Sequence, residues 1–429
     1  LWDKGRVGDP LRVCIDARMG PAGAAGGVQQ FVLGLAHGLA GLEGNSERYR
    51  FLVDWQSREW LEPVLRGPCT ILEAAGEPRP ATSGWKQVVK AVVPRPVLEL
   101  PFRAAALARS LRPYRIPDSD GTVERAGTEV LHQTLQDGFR TGVPCIYTPY
   151  DLQHVHLPEM FARRDLRRKA VTYPYFCGAA EAVVAISRHG KDDLVRTLHL
   201  PPEKVRVVPL APAIDASPDL DASATEALRD RLGLPAAFAL YPAQTWPHKN
   251  HLGLLEALSR LRDREGLAVP AVFTGHRNAF FANLERRVAE LGLAGQVAFT
   301  GFLGPSELKA VYRMARLVAF PSRFEGFGMP VVEAFRLGVP VACSSATSLP
   351  EVAGDAALLF DPGDPDAMTA AIRRLWTDEA LRVELVRRGR ERVQLFSWDE
   401  VARRCRALYR MVGRRPLDPA DRALLAAML

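Results

Sequence analysis

No C-x-x-C pair occurs among the six scattered cysteines of this 429-residue chain (Cys14, Cys69, Cys145, Cys177, Cys343 and Cys405). Neither a zinc site nor a disulfide framework is therefore indicated. Most of these cysteines lie in apolar runs and read as reduced core thiols of a cytoplasmic protein. No run of about 18 apolar residues is available to span a bilayer. The opening residues LWDKGRVGDP lack the apolar core of a signal peptide, and no short-period repeat is found. Neither sign of charge dominates. The net charge of +7 is modest, and it favours anionic partners such as phosphates, nucleic acid or an anionic membrane face. Of these, nucleic acid has no supporting recognition motif or aromatic-basic ribbon.

What remains is ordinary globular composition, with 47% hydrophobic and 24% charged residues. The length suggests two domains or a little more, with room for a cleft between them. LRVCIDARM (11–19) reads as a strand followed by a glycine-rich loop, GPAGAAGGVQQ, and an apolar-periodic helix. That order opens many α/β nucleotide-binding domains. Further strands are expected at 49–55, 129–133, 144–151, 182–187 and 205–211, then at 238–244, 270–275, 296–301, 315–322, 339–344 and 356–360. Helical patterns or loops between them predict two α/β units with mainly parallel sheets. The expected division is 1–211, an interdomain connection at 212–235, 236–396, and a basic amphipathic helical tail at 397–429 packing back towards the first unit. Segment 84–116 carries seven Lys/Arg against one acid. It is read either as a membrane-surface patch or as an ordinary helical excursion, which its prolines favour.

Two stretches carry chemistry. In YPAQTWPHKNHLGLLEALSRL, Lys249 precedes Asn250, a good N-cap for a helix with apolar positions at 252, 255, 258 and 261. A cation at a helix start is unfavourable unless an anion joins it, so Lys249 either binds phosphate or is merely solvated. In SRFEGFGMPVVEAFRLGVPV (322–341), Glu325 and Glu333 stand eight residues apart. Gly326 and Gly328 permit close backbone approach, and Pro330 suits a first helical turn. The two acids could act as acid and base, as metal ligands or as hydroxyl acceptors, or simply be a solvated and a dipole-stabilising Glu. No third ligand lies nearby, so no metal is expected.

Several linked motifs in order resemble the retaining glycosyltransferases of family 4, which have the GT-B fold. These are HKN, FTGFLGPSELKAVYRMARLVAFPSRFEGFG, EGFGMPVVEA and SSATSLPEVAGDAALLFDP, with looser matches in IDARM…GGVQQFV, AVVAISRHGKDDLVR and KVRVVPLAP. The resemblance implies two facing Rossmann-like domains, with the second holding a nucleotide sugar and the first holding the acceptor. It further implies that Lys249 binds the diphosphate, Glu325 the donor sugar and Glu333 the ribose hydroxyls. The amides of Phe327, Gly328 and Met329 would lie over sugar or phosphate, with Gly326 also in the donor site, and Gly26 and Gly27 would approach the diphosphate. Phe302 and Leu303 would frame the base, and Tyr150, Asp151, Ser187 and Arg188 would face the cleft on the acceptor side.

The implied reaction is metal-independent, retaining transfer of a hexose, with mannose slightly favoured in polysaccharide synthesis. The donor would be GDP- or UDP-linked, the acceptor a saccharide or lipid-linked hydroxyl, and no cofactor is needed. The expected location is cytoplasmic, with peripheral membrane contact through 84–116 if that segment is a surface patch. Other readings are a GT-B epimerase or phosphorylase, or a non-catalytic nucleotide-sugar-binding protein. Two departures stand out. Thr148-Pro149-Tyr150-Asp151 has Tyr where many members have His, with His154 and His156 as nearby substitutes. Ala243-Gln244-Thr245 lacks an Arg that some members carry, leaving Arg188 or Lys191 to supply a second cation.

Overall fold

The computed structural model describes residues 9–19, 26–44, 46–54, 58–74 and 114–429. Most of the basic segment, residues 84–113, lies outside them. The first sheet contains β1 (Leu11–Asp16), β2 (Glu47–Val53), β3 (Cys69–Glu73), β4 (Val130–Gln133), β5 (Cys145–Tyr150), β6 (Ala182–Ala185) and β7 (Val205–Val207). Their spatial order is β3-β2-β1-β4-β5-β6-β7. The second contains β8 (Ala239–Pro242), β9 (Ala271–Thr274), β10 (Val297–Gly301), β11 (Leu317–Phe320), β12 (Val341–Ser344) and β13 (Ala357–Phe360), in the order β10-β9-β8-β11-β12-β13.

Every strand pair in both sheets is parallel. Parallel sheets bury both faces, and the runs LHQ in β4, VVA in β6 and LVAF in β11 are buried at every residue. The edge strand β3 was not expected. Its CTILE run is short, mixes Thr and Glu into the apolar pattern, and is only partly buried. The strand expected over 205–211 ends at Val207, because Pro209 cannot donate to a ladder.

Each sheet reverses its strand order once, between β1 and β4 in the first and between β8 and β11 in the second. Loops at the carboxyl ends of such strands leave a crevice. The second crevice is bounded by the turn Pro247–Lys249, which follows β8, and by residues 322–328, which follow β11 and lead into the helix Met329–Arg336.

The C-terminal segment returns to the first sheet. Helix Trp398–Val412 packs along helix Gly27–Gly41. A Cβ added at Gly34 would lie 2.1 Å from the Trp398 ring, and one at Gly38 2.4 Å from the Trp398 carbonyl oxygen. These two glycines, one helical turn apart, form the groove that receives the indole. Burying a Trp removes on the order of 200 Å² from water, a transfer gain of roughly 5 kcal/mol. The helix is fastened inside as well. Tyr409 Oη lies 2.9 Å from His132 Nδ1, while His132 Nε2 lies 2.8 Å from Thr148 Oγ1. Burial lowers the His132 pKa to about 3, so the imidazole is neutral. Five cysteines are buried and Cys145 is half-buried, all as free thiols.

Candidate active site

A cavity of about 760 Å³ lies between the two sheets and collects residues from both switch points. Gly26, Gly27, Tyr150, Asp151, Lys249, Phe302, Leu303, Glu325, Gly326, Phe327, Gly328, Met329 and Glu333 all line it. Ser187 and Arg188 do not; they act at the domain contact. Ser187 Oγ donates to the Gly326 carbonyl at 2.9 Å, and it accepts the Gly190 N–H at the start of helix Arg188–Leu198. The Glu351 carboxylate reaches from the second domain to the same helix start, accepting from the Arg188 and His189 amides at 2.8 and 3.1 Å. A negative charge is favourable there, so these bonds hold the walls of the cleft together.

Lys249 meets an anion within the protein. Its Nζ lies 2.6 Å from Glu325 Oε1, with both side chains largely buried, and Ser322 Oγ donates to the same oxygen. Asn250 sits at the N-cap position of helix His251–Glu265 but does not cap it with its side chain. Its backbone is left-handed at φ 59, and Nδ2 donates to the carbonyls of Pro321 and Pro362. Asn250 therefore ties the lysine turn to the glutamate loop instead of satisfying helix amides. Of the four apolar positions expected inward on this helix, Leu252 faces out at 37% exposure.

Gly328 requires glycine, with φ 101 and an added Cβ 2.4 Å from Leu349. Gly326 leaves little room for a side chain, because a Cβ would lie 3.2 Å from the Tyr150 carbonyl oxygen across the domain boundary. Pro330 falls in the first turn of Met329–Arg336. Glu333 is 7% exposed and accepts a 2.9 Å hydrogen bond from Tyr312. Burial raises its pKa to about 7, against the Tyr312 hydrogen bond and with a smaller push from Asp215.

At the opposite margin, the Phe302 ring is 53% exposed and stacks on His276 with centroids 4.4 Å apart and planes at 13°. Sequence reasoning missed His276, which follows β9 with no motif of its own. It also missed Tyr312, Glu351 and Gln136, whose partners are remote in the chain, and Gln153, which carries no motif.

Tyr150 is among the residues that line the cavity. The ring lies edge-on to Phe31, is 6% exposed, and its hydroxyl is buried without a hydrogen-bond partner. Burial, with a smaller push from Asp16, raises its pKa far above the usual value. The phenol is thus turned into the first domain and is not presented as a hydrogen-bond donor to the cleft. His154 and His156 do not replace the missing histidine. His154 is buried against Tyr173, and burial lowers its pKa to about 4. His156 pairs with Asp193 at 2.7 Å and stacks on Phe324.

Neither Arg188 nor Lys191 lines the cavity, and Lys191 Nζ is bound to the Leu429 carbonyl. Gln244 does line it, with Oε1 accepting from Trp246 Nε1 at 2.8 Å. Among the described residues no three of His, Cys, Asp and Glu cluster as a metal site. No described helix is long and apolar enough to cross a membrane.

Two parallel-sheet α/β domains facing across a cleft lined by a lysine and two glutamates define a GT-B glycosyltransferase. The model of the Glycosyl transferases group 1 matches residues 226–392, and that of Glycosyltransferase Family 4 matches residues 71–212. The chain is 30% identical to the O-antigen chain mannosyltransferase B of Escherichia coli over 258 residues, 59% of this chain and 67% of that protein. It is 34% identical to the serotype-specific mannosyltransferase WbdA of Escherichia coli over 52% of its own length, but spans only 28% of that longer protein. Among solved structures it resembles Anabaena HepE in complex with UDP and glucose, with a TM-score of 0.66 and 18% identity over 93% of this chain and 99% of that one. The chain belongs to glycosyltransferase family 4 and is a hexosyltransferase of the nucleotide-sugar-dependent class.

Proposed function

We propose that the protein transfers mannose from a nucleoside-diphosphate donor to a sugar hydroxyl, with retention of configuration. The observation that carries this reading is the Lys249–Glu325 pair, 2.6 Å apart in the cavity beside the Gly326–Gly328 loop. The diphosphate develops negative charge as its bond to the anomeric carbon breaks, and a fixed ammonium in a water-poor cleft stabilises it. Glu325, released from Lys249 by the arriving diphosphate, accepts hydroxyls of the donor sugar. Glu333 accepts ribose hydroxyls, while the stacked His276–Phe302 pair frames the base. The acceptor hydroxyl attacks on the face that the diphosphate leaves, and a phosphate oxygen takes its proton.

The names of the relatives favour mannose, and the same chemistry serves GDP- and UDP-linked donors. Saccharide or lipid-linked acceptors both present the required hydroxyl. A panel of GDP, UDP, dTDP, CDP and ADP tests the donor site by thermal shift. One nucleotide at about a hundred times its Kd should add roughly 2.7 kcal/mol to the folded state. The matching nucleotide sugar, supplied with a mannoside, should then yield a disaccharide of retained configuration. An inverted product, or no transfer with any donor, would overturn the reading.

A further inference from the structure

Glu325 belongs to the second domain, yet both of its neighbours in the chain are held by the first. On one side, Ser187 Oγ donates to the Gly326 carbonyl at 2.9 Å. On the other, the His156 imidazole stacks on the Phe324 ring, with centroids 5.6 Å apart and planes at 27°. Phe324 is 7% exposed and is not among the residues of the apolar core around the second sheet. The second domain itself fixes the main chain of Glu325. Its amide donates to Thr347 Oγ1 and its carbonyl accepts from Ser348 Oγ, each at 3.0 Å. In the empty site Lys249 and Ser322 hold the carboxylate. Once a diphosphate engages Lys249, the aim of the Glu325 side chain depends on Ser322 and on the residues to either side.

Asp193 fixes the imidazole. His156 Nε2 donates to the two Asp193 oxygens, at 2.7 and 2.9 Å. Asp193 is buried and also accepts from Thr197 Oγ1 at 3.1 Å and from Arg196 at 3.2 Å. A hydrogen bond from a ring nitrogen lies in the plane of the ring, whereas stacking uses its face, so the two contacts of His156 do not compete. Asp193 sits on helix Arg188–Leu198, whose N-cap is Ser187. One helix of the first domain therefore reaches both flanks of Glu325, directly at Gly326 and through the imidazole at Phe324.

We infer that His156, oriented by Asp193, is a positioning residue for the transfer: through Phe324 it keeps Glu325 aimed at the donor sugar. The inference rests on the transferase reading above, which gives Glu325 its role, and adds to it a residue that acts from the opposite domain. Small displacements of a group beside the reacting centre are costly in rate. The nucleotide itself is spared, because Lys249, Glu333 and the His276–Phe302 pair lie outside this contact. A mere prop between the domains would instead support the whole cleft and affect every ligand alike.

The test uses the nucleoside diphosphate selected by thermal shift and its mannosyl ester, with methyl α-mannoside as acceptor. His156→Ala should lower kcat/KM for the nucleotide sugar roughly tenfold, the value of one aromatic contact, while the Kd of the nucleoside diphosphate stays as in the wild type. His156→Phe keeps a ring against Phe324 and should recover most of the loss. His156→Gln keeps a donor to Asp193 but no ring, and should not. Phe324→Leu should show the same loss and add nothing when combined with His156→Ala, because the two residues act as one unit. Equal losses for the nucleotide and the nucleotide sugar, rescue by Gln but not by Phe, or additive effects in the double variant would each overturn the inference. Hydrogen exchange in the ligand-free protein gives a readout independent of turnover: segment 322–328 should exchange faster in His156→Ala and return towards the wild-type rate in His156→Phe. Should the wild type transfer sugar from no donor, the transferase reading fails and exchange alone decides. An unchanged rate in 322–328 then overturns the hold of His156 on the loop, and a faster one upholds it.

Discussion

Replacing Glu333 with Gln should stabilise the empty protein at alkaline pH while weakening nucleotide binding. Glu333 is buried in the helix after the glycine loop, and burial raises its pKa from 4.5 to about 7. At about 1.4 kcal/mol for each pH decade, ionising it in the folded state costs roughly 3 kcal/mol relative to the unfolded chain. The folded protein keeps a proton that the unfolded chain releases above pH 4.5. Stability from this group is therefore complete below about pH 4.5, falls as the pH rises to about 7, and is level beyond. Gln cannot ionise, and its amide oxygen still accepts from Tyr312. Comparing Glu333→Gln with the wild type by denaturant unfolding at pH 5 and pH 8 cancels the other titrating groups. The variant should gain roughly 3 kcal/mol more at pH 8 than at pH 5, less whatever the site relaxes. With saturating nucleotide present the advantage at pH 8 should shrink by roughly 1.4 kcal/mol, because ribose hydroxyls lose a charged acceptor and Kd rises roughly tenfold. An identical stability difference at both pH values would refute the reasoning.

Lys249→Ala should lower turnover by roughly 100-fold or more, as loss of a preorganised donor to the leaving group does; near-wild-type kinetics would remove Lys249 from the chemistry. Tyr150→Phe should leave transfer rates unchanged and stability equal or about 1 kcal/mol higher, because the buried hydroxyl has no partner to lose. A clear drop in kcat would show that the phenol does reach the cleft. Glu351→Ala removes two hydrogen bonds across the domain boundary, worth about 1–3 kcal/mol together. Small-angle scattering should then report a larger radius of gyration without nucleotide, and donor KM should rise; an unchanged radius would show that other contacts suffice.

Much of the fold was legible in the chain because parallel strands buried on both faces leave continuous apolar runs, and each such run between 129 and 360 became a strand. The exceptions have physical causes. β3 lies at an edge, where half-burial relaxes the pattern, and β7 stops where Pro209 removes a donor. The donor side of the site was legible for a related reason: Lys249, Gly326, Gly328 and Glu333 lie on two short segments whose local backbone dictates their residue types. Gly328 at φ 101 is such a case, because no distant partner is needed to demand glycine there.

Orientation and pairing were decided by the tertiary structure. From its sequence Tyr150 looked able to donate a hydrogen bond to the cleft, but the left-handed turn at φ 68 carries its ring under Phe31. Asn250 looked like a cap, yet the loops after β11 and β13 offered its amide better acceptors. Glu351 is 163 residues from the amide of Arg188 that it binds, and His276 meets Phe302 only because β9 and β10 are neighbours. The sequence by itself determined the strands, the glycines and the charged groups of the donor loops, since these follow from local periodicity and backbone conformation. Which groups face the cleft and which are withdrawn into ion pairs depend on contacts between remote segments, and only the packed domains set those.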